Sequence, residues 1–468
     1  MKKAFSLILV IWFYAFTLHG QSGRKADLPQ QDINKPVKEL FQEVNLYLRD
    51  KFSDFDAKGI SVNEKLRDQT KREQQLLAAR FAAEASQRKN LSPEDLYYLG
   101  LLFWISDNLD ATRETFERYL EAEGLTGEQP QMARALVAVT SFNQGRIEEG
   151  VKYLKDYNSN QPQRDQDRLA MSASLANAYL KLGGRDNKQL AEQYAREAFT
   201  IAKKIASERK LVAADILFEK AMFLADILRE NGRPEEALPF LDEAAKAAES
   251  SSNATIYYYA LDRKFLLMIN AGKKKQALDE LQQVKNRLDR EPALAVLKQK
   301  LGDRFYRREI QYKLLNEKAP PLEDIQKWLG AEPLQLSDLE GKVVLLDFWA
   351  TWCGPCFEAF PLLTEWSEKF KENGLVVIGV TRLYGETDTG PAQEAEEFDY
   401  LSRFKRSQRL NYPIAISRTT SAQLTFGATA LPTAVIIDRR GIIRYIETGS
   451  SKSRLEEIRK VLENLLAE

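Results

Sequence analysis

Cysteine and histidine are almost missing from this chain, which holds two cysteines and one histidine, His19, in 468 residues. A zinc site needs about four ligands, often as two CxxC knuckles, and no third cysteine exists to build one. A framework of structural disulfides is excluded on the same ground. Charge of one sign is lacking as well: 68 basic residues face 68 acidic ones, so no net field recruits nucleic acid or an anionic membrane. A mean hydropathy of −0.43 with 44% hydrophobic residues is ordinary for a soluble chain, and the length suggests about two to four domains. Proline and glycine are sparse from about Val37 to Lys318, where they fall mainly between periodic segments and leave helices almost uninterrupted.

What is present is concentrated. Both cysteines stand in Trp352-Cys353-Gly354-Pro355-Cys356, directly after the apolar run Val343-Val344-Leu345-Leu346-Asp347-Phe348-Trp349. A strand ending in a CxxC pair that feeds a helix is the sequence form of a thiol-disulfide redox site. With Cys353 at the helix N-terminus and Cys356 one turn inside it, the sulfurs can bridge without moving the backbone. The outer thiol then faces free N–H groups and the positive end of the helix dipole, which favour its thiolate. Cys353 is therefore the expected attacking sulfur and Cys356 the resolving one. Pro355 suits the first helical turn because its missing N–H loses no partner there. A purely structural bridge is the competing reading, but so short a loop constrains the unfolded chain little.

These residues, with Leu339-Glu340-Gly341-Lys342 before the strand and Leu431-Pro432-Thr433 further on, resemble the thioredoxin superfamily. Within it the closest likeness is to the exported TlpA/ResA-like thiol-disulfide oxidoreductases, over about Pro320 to Glu468. The resemblance implies a thioredoxin-like α/β fold, no cofactor, and a protein disulfide as substrate. It also implies roles. Asp347, six residues before Cys353, matches the buried acid that exchanges the proton of the inner thiol, a task requiring a raised pKa. A solvated strand-end aspartate is the alternative. Pro361 matches the proline that kinks the active-site helix. Pro432 matches the cis-proline that lets the backbone of Leu431 pair with an extended substrate, although an ordinary trans turn also fits the residues. Trp352, Gly354 and Pro355 would complete the substrate-facing surface.

Two departures from the exported relatives stand out. Ala359 occupies the position where they commonly carry a glutamate, and Glu358 is rotated from it by about 100° on a helix. Asp347 is retained where many of them lack an acid. Together with Gly354-Pro355, which accompanies strongly reducing pairs such as thioredoxin at about −270 mV, this points toward reduction. A peroxiredoxin-like peroxidase fails on residues, because Ala350-Thr351-Trp352 precedes Cys353 where that family places a threonine three before its cysteine.

Further strands are expected over Leu375 to Val380, Ala434 to Asp438 and Ile442 to Ile446, the last two as a hairpin about Arg439-Arg440-Gly441, and a closing helix over Ser453 to Leu465. Between Tyr384 and Leu410 the pattern predicts a loop from Gly385 to Gly390 and a helix from Gln393 to Arg406. Exported relatives commonly carry an insertion here, linked to partner choice; a merely solvated helix is the other reading.

Met1-Lys2-Lys3 and the apolar stretch Ala4 to Leu18, about 15 residues against the roughly 20 a spanning helix needs, read as a secretory leader. A cleaved leader and an uncleaved anchor both fit, and both place the protein outside the cytoplasm. Residues 21–36 read as a polar linker. In the helical region the turns Asp107-Asn108, Gly145, Gly183-Gly184, Gly232 and Gly272 recur at about 37 to 49 residues, the range of helix-pair repeats. Asn231-Gly232-Arg233-Pro234-Glu235-Glu236-Ala237-Leu238, flanked by Ala225, Leu241 and Ala244, resembles a tetratricopeptide repeat, as does Ala271-Gly272-Lys273-Lys274-Lys275-Gln276-Ala277-Leu278 with Leu281 and Val284. Such stacks offer a groove for extended peptides or other domains. A helical block that only spaces the redox domain is the plainer reading.

The expectation is a multidomain protein: leader or anchor at 1–20, linker at 21–36, an all-α helical-repeat domain at 37–318, and a thioredoxin-like α/β domain at 320–468. Its expected activity is exported thiol-disulfide exchange, supplied with electrons by a membrane or exported donor, with the repeats holding the partner protein. An interaction scaffold carrying the thioredoxin-like domain as a docking module is the second reading.

Overall fold

The computed structural model describes residues 35–208 and 213–468. The expected leader and most of the expected linker lie outside the described residues. The chain divides into two compact units, Met1–Leu125 and Thr126–Glu468.

The first unit contains α1 (Val37–Ala57), α2 (Glu64–Ser86), α3 (Pro93–Ile105) and α4 (Leu109–Leu120). Local chemistry starts these helices where the chain changes character. Asn63 and Asn108 cap α2 and α4 through their side-chain carbonyls, and Ser92 forms a capping box with Asp95 ahead of Pro93. Each cap satisfies a backbone N–H that the helix leaves open. The helices then bury Leu40, Phe81, Leu102 and Phe116. Close approach of α3 and α4 depends on Gly100, where a Cβ would lie 2.7 Å from the Phe116 ring. Gly100→Ala is expected to cost about 1–3 kcal/mol through overpacking, read as a lower urea midpoint for this unit. An unchanged midpoint would mean the ring yields freely.

The second unit begins with α5 (Glu128–Asn143), α6 (Ile147–Asn158), α7 (Asp165–Leu182), α8 (Arg185–Glu208), α9 (Ala213–Glu230), α10 (Leu238–Ser250), α11 (Ala254–Asn270), α12 (Lys274–Arg290), α13 (Ala295–Leu301) and α14 (Arg304–Leu314). From α5 through α13, consecutive helices pack on one another. Their turns share a device. The N–H groups of Arg146, Arg233 and Lys273 reach back to the carbonyls of Ser141, Leu228 and Met268 at 2.8 Å, closing the helix end past a left-handed glycine. Pro234–Ala237 forms one 3₁₀ turn before α10 starts. Ala225, Leu241, Ala244, Ala277 and Leu281 are fully buried, so the small residues face the helix-helix contacts.

The same unit continues into β1 (Ile325–Leu329), β2 (Val343–Phe348), α15 (Cys356–Lys369), β3 (Leu375–Arg382), β4 (Glu386–Thr387), β5 (Gly390–Pro391), α16 (Glu394–Ser407), β6 (Ile414–Ser417), α17 (Ser421–Thr425), β7 (Thr433–Ile437), β8 (Ile443–Thr448) and α18 (Lys452–Ala467). Six strands form one sheet in the order β1-β6-β3-β2-β7-β8. β2, β3 and β6 are parallel, while β7, β8 and β1 join antiparallel to their neighbours. A helical region followed by a thioredoxin-like α/β sheet is thus the architecture. Strands β1 and β6 go beyond the sequence pattern, and the loop expected from Gly385 to Gly390 contains the small β4–β5 hairpin.

Alternation along β2 divides the core. Val343, Leu345 and Trp349 face one cluster with Phe360, Leu363, Phe404 and Leu462 from α15, α16 and α18. Val344, Leu346 and Phe348 face the other, which also holds Phe426 beyond α17 and runs continuously into the helical array. The connection at 316–319 lies along β8: Asn316 and Ala319 donate to Ile443 and Gly441 carbonyls at 2.8 Å, and Ile443 donates to Glu317 at 2.9 Å. That pairing covers part of an edge strand that would otherwise present open backbone groups.

Candidate active site

Strand β2 carries the site because its burial forces the following turn to the end of the sheet. Trp349 and Ala350 remain buried after the strand, and Trp352 emerges, 57% exposed. Cys353 and Cys356 form a disulfide with their Cα atoms 5.4 Å apart. Cys353 is buried at 4% exposure between exposed Trp352 and exposed Gly354, and Cys356 is fully buried. The helix starts later than the spacing predicts. Cys356 is its first residue and Pro355 its cap, because Cys356 and Phe357 donate to Cys353 and Gly354 in i→i+3 turns that tighten the entry. Cys353 therefore precedes the helix and does not open it.

Asp347 occupies the same face of β2 as Trp349, toward the cluster that contains both cysteines. Its carboxyl is buried, with Oδ2 lacking a hydrogen-bond partner among the described residues. Burial alone, with no cation to offset it, pushes its pKa up to about 7. A solvated strand-end aspartate is not what forms. Tyr412 lies beside it, its hydroxyl held well above the ordinary tyrosine range by burial and by the Asp347 charge. Gly379, opposite Asp347 in β3, makes the room: a Cβ there would come within 2.9 Å of the Trp349 indole nitrogen and 3.3 Å of Tyr412.

The Leu431–Pro432 peptide is cis, Pro432 is buried, and Leu431 is half-buried at the entry to β7. Pro361 lies inside α15 on its exposed side, and Ala359 is buried.

The insertion contributes to the site in ways the sequence pattern leaves open. Phe404 of α16 stacks on Trp349 at 5.3 Å, and Leu401 is buried beside it, so this helix is part of the core. Buried Glu397 accepts from the backbone N–H groups of Tyr384 and Gly385 at 2.7 and 2.9 Å, tying the loop down. Tyr384 then meets Trp352 edge-on at 5.4 Å, with the Arg382 guanidinium 3.9 Å over its ring and Gln423 donating to its hydroxyl at 3.3 Å. Sequence reasoning missed Tyr384 and Arg382 as supports of Trp352. Their position at the end of β3 and just beyond it was the only available sign.

Among the described residues no group of three or more His, Cys, Asp or Glu side chains could hold a metal ion, and no helix is long and apolar enough to cross a membrane. What the arrangement can do chemically is exchange two thiols for a disulfide. A bridged pair of sulfurs, the outer one flanked by exposed residues, and an acid poised near neutrality, on this sheet, define the class of thioredoxin-like thiol-disulfide oxidoreductases.

Comparison with known proteins narrows that class. The Redoxin family model matches residues 315–465. The thiol-disulfide oxidoreductase ResA of Bacillus thuringiensis subsp. konkukian is 34% identical over 134 residues, covering 28% of this chain and 70% of the relative. Protein DipZ of Mycobacterium bovis is 32% identical over 142 residues, covering 30% of this chain and 19% of that protein. Among solved structures, a thiol-disulfide isomerase from Corynebacterium glutamicum aligns with 24% identity and a TM-score of 0.27, covering 32% of this chain and 97% of its own. Through its C-terminal third the chain belongs to the TlpA/ResA-like thiol-disulfide oxidoreductases of the thioredoxin superfamily, and it is an enzyme of that kind.

Proposed function

We propose that the protein reduces disulfides of other proteins outside the cytoplasm. The Cys353 thiolate attacks one sulfur of the substrate disulfide, forming a mixed disulfide and releasing one substrate thiolate. Asp347 takes the proton of Cys356, whose thiolate attacks the Cys353 sulfur and expels the second substrate sulfur as a thiolate, which takes up the proton that Asp347 gives back. Two electrons pass to the substrate and the Cys353–Cys356 disulfide remains, to be reduced by an external dithiol donor. Leu431 and Pro432, with Trp352, Gly354 and Pro355, receive the substrate segment around the scissile disulfide, and the helical array holds the rest of the partner in the manner of tetratricopeptide repeats. The exported setting rests on the leader at 1–20.

The observation that carries the reading is Asp347, a carboxyl raised by burial alone to about 7 on the face that holds the pair. At that value it both accepts and returns a proton near neutral pH. The test is the potential of the Cys353–Cys356 couple, equilibrated against glutathione or dithiothreitol. A value near thioredoxin's, about −270 mV, is expected for a reductase, and one near about −120 mV would make the protein an oxidant.

A further inference from the structure

The helical array touches the redox domain through a buried polar cluster that the chemistry above does not use. Arg308 of α14 is 3% exposed; it donates to Asp262 of α11 at 2.6 Å, to Glu447 of β8 at 2.9 Å and to the Ile446 carbonyl at 2.8 Å. Tyr312 adds a bond to Asp262 at 2.5 Å. Two carboxylates from different parts of the fold thus share one guanidinium, which sets the height and rotation of α14 against β8. Arg308 also donates to the side-chain carbonyl of Gln311 at 2.5 Å, which fixes which end of that amide points onward.

The onward end reaches the substrate loop. The Gln311 amide nitrogen donates to the Gly427 carbonyl at 3.0 Å and to the Thr448 hydroxyl at 3.3 Å. Thr433 gives its own proton to the Ala430 carbonyl at 2.7 Å, so at the 2.9 Å contact between the two hydroxyls Thr448 is the donor. The bonds run in one direction from Gln311 through Thr448 and Thr433 to Ala430. Chains aligned in this way polarise and strengthen one another. Gly427 and Thr433 are the two ends of the segment that contains Leu431 and Pro432, so one glutamine side chain holds the first directly and the second through Thr448. A separate observation supports the close fit: at Gly427 a Cβ would lie 3.0 Å from the Gln311 side chain and 3.4 Å from Ile310, and its φ is +65°. Only glycine meets both demands there.

We propose that Gln311, a residue of the helical array, is a positioning residue for the reaction: it holds the Leu431–Pro432 loop in the conformation that receives an extended disulfide substrate. The inference rests on the reading of that loop as the substrate-docking segment. A small disulfide does not pair with the loop backbone, so it is indifferent to this support, whereas a protein disulfide depends on it.

The experiment compares full-length wild type, Gln311→Met, Thr448→Val, the double variant and Pro432→Ala, each assayed with insulin and with hydroxyethyl disulfide. Gln311→Met and Thr448→Val are each expected to raise KM for insulin about fivefold, as loss of one buried hydrogen bond implies, with hydroxyethyl disulfide turnover and the Cys353–Cys356 potential unmoved. Because both cut the same chain, the double variant should be scarcely worse than either single one. If Pro432→Ala impairs insulin turnover while neither single variant does, the inference falls and the docking reading stands. If Pro432→Ala leaves insulin turnover unaffected, the docking reading falls and the inference with it. Equal losses on both substrates would reduce Gln311 to a structural role and also overturn it. Thr448→Val nearly preserves shape, so the test survives should Gln311→Met fold poorly.

Discussion

Cys353→Ser loses all disulfide turnover, whereas Cys356→Ser keeps the first attack and stalls as a mixed disulfide. The difference follows from reach. Cys353, at 4% exposure, lies between exposed Trp352 and exposed Gly354 ahead of the helix, while Cys356 is wholly buried as the first residue of α15. A serine hydroxyl is too weakly acidic to supply the nucleophile in either role. With Cys356 replaced, nothing displaces the substrate from Cys353, so a covalent adduct accumulates that dithiothreitol releases. Intact-mass measurement after exposure to an oxidised protein reads it directly: the adduct should appear with Cys356→Ser and not with Cys353→Ser. Adducts on the Cys353→Ser variant alone would reverse the assignment of the two sulfurs.

Asp347→Asn stabilises the oxidised protein at alkaline pH and slows its chemistry. The carboxyl has a pKa of about 7 in the fold against an ordinary value near 3.8. Well below pH 3.8 the group is protonated in both folded and unfolded chains, and its titration costs nothing. As pH rises through the interval between the two values, the unfolded chain gives up its proton first and is favoured. The loss is complete above pH 7, at about three units of about 1.4 kcal/mol each, on the order of 4 kcal/mol. An asparagine carries no such penalty, less whatever its buried amide costs. Urea unfolding of the oxidised forms should therefore show a clear gain for the variant at pH 8.5 and little titration-linked gain at pH 4. Equal effects at both would contradict a raised carboxyl. The same variant should lose about 10²-fold or more in insulin reduction, and the inflection near pH 7 in its rate profile should disappear.

The two variants probe parts of the protein that the chain states locally. Cys353, Cys356 and Asp347 lie within ten residues of one another, on one strand and the turn after it, so spacing and apolar pattern bring them to one end of the sheet. β2, β3, β7 and β8 were readable for the same reason, being runs of β-branched and aliphatic residues with clear borders. β1 and β6 were not. Ile325–Leu329 exposes two of its five residues and has no continuous apolar run, and Ile414–Ser417 is only four residues long. Each becomes a strand because a neighbouring strand pairs with it. The late start of α15 is a further case, set by the tight turns through Cys353 and Gly354 and not by helix propensity.

The sequence by itself determined the class of chemistry and the order of helical and mixed α/β regions, since both depend on residues that are neighbours along the chain. Tertiary structure alone decided how the two regions meet within the second unit. Arg308 meets Asp262 and Glu447, and Gln311 meets Gly427, across separations of 46 to 139 residues, and Tyr384 lies against Trp352 where buried Glu397 holds its loop. No local pattern encodes such contacts, because each side chain is ordinary in its own segment. Their value appears only when burial removes water and leaves each charge or amide to be satisfied by whatever the fold has brought beside it.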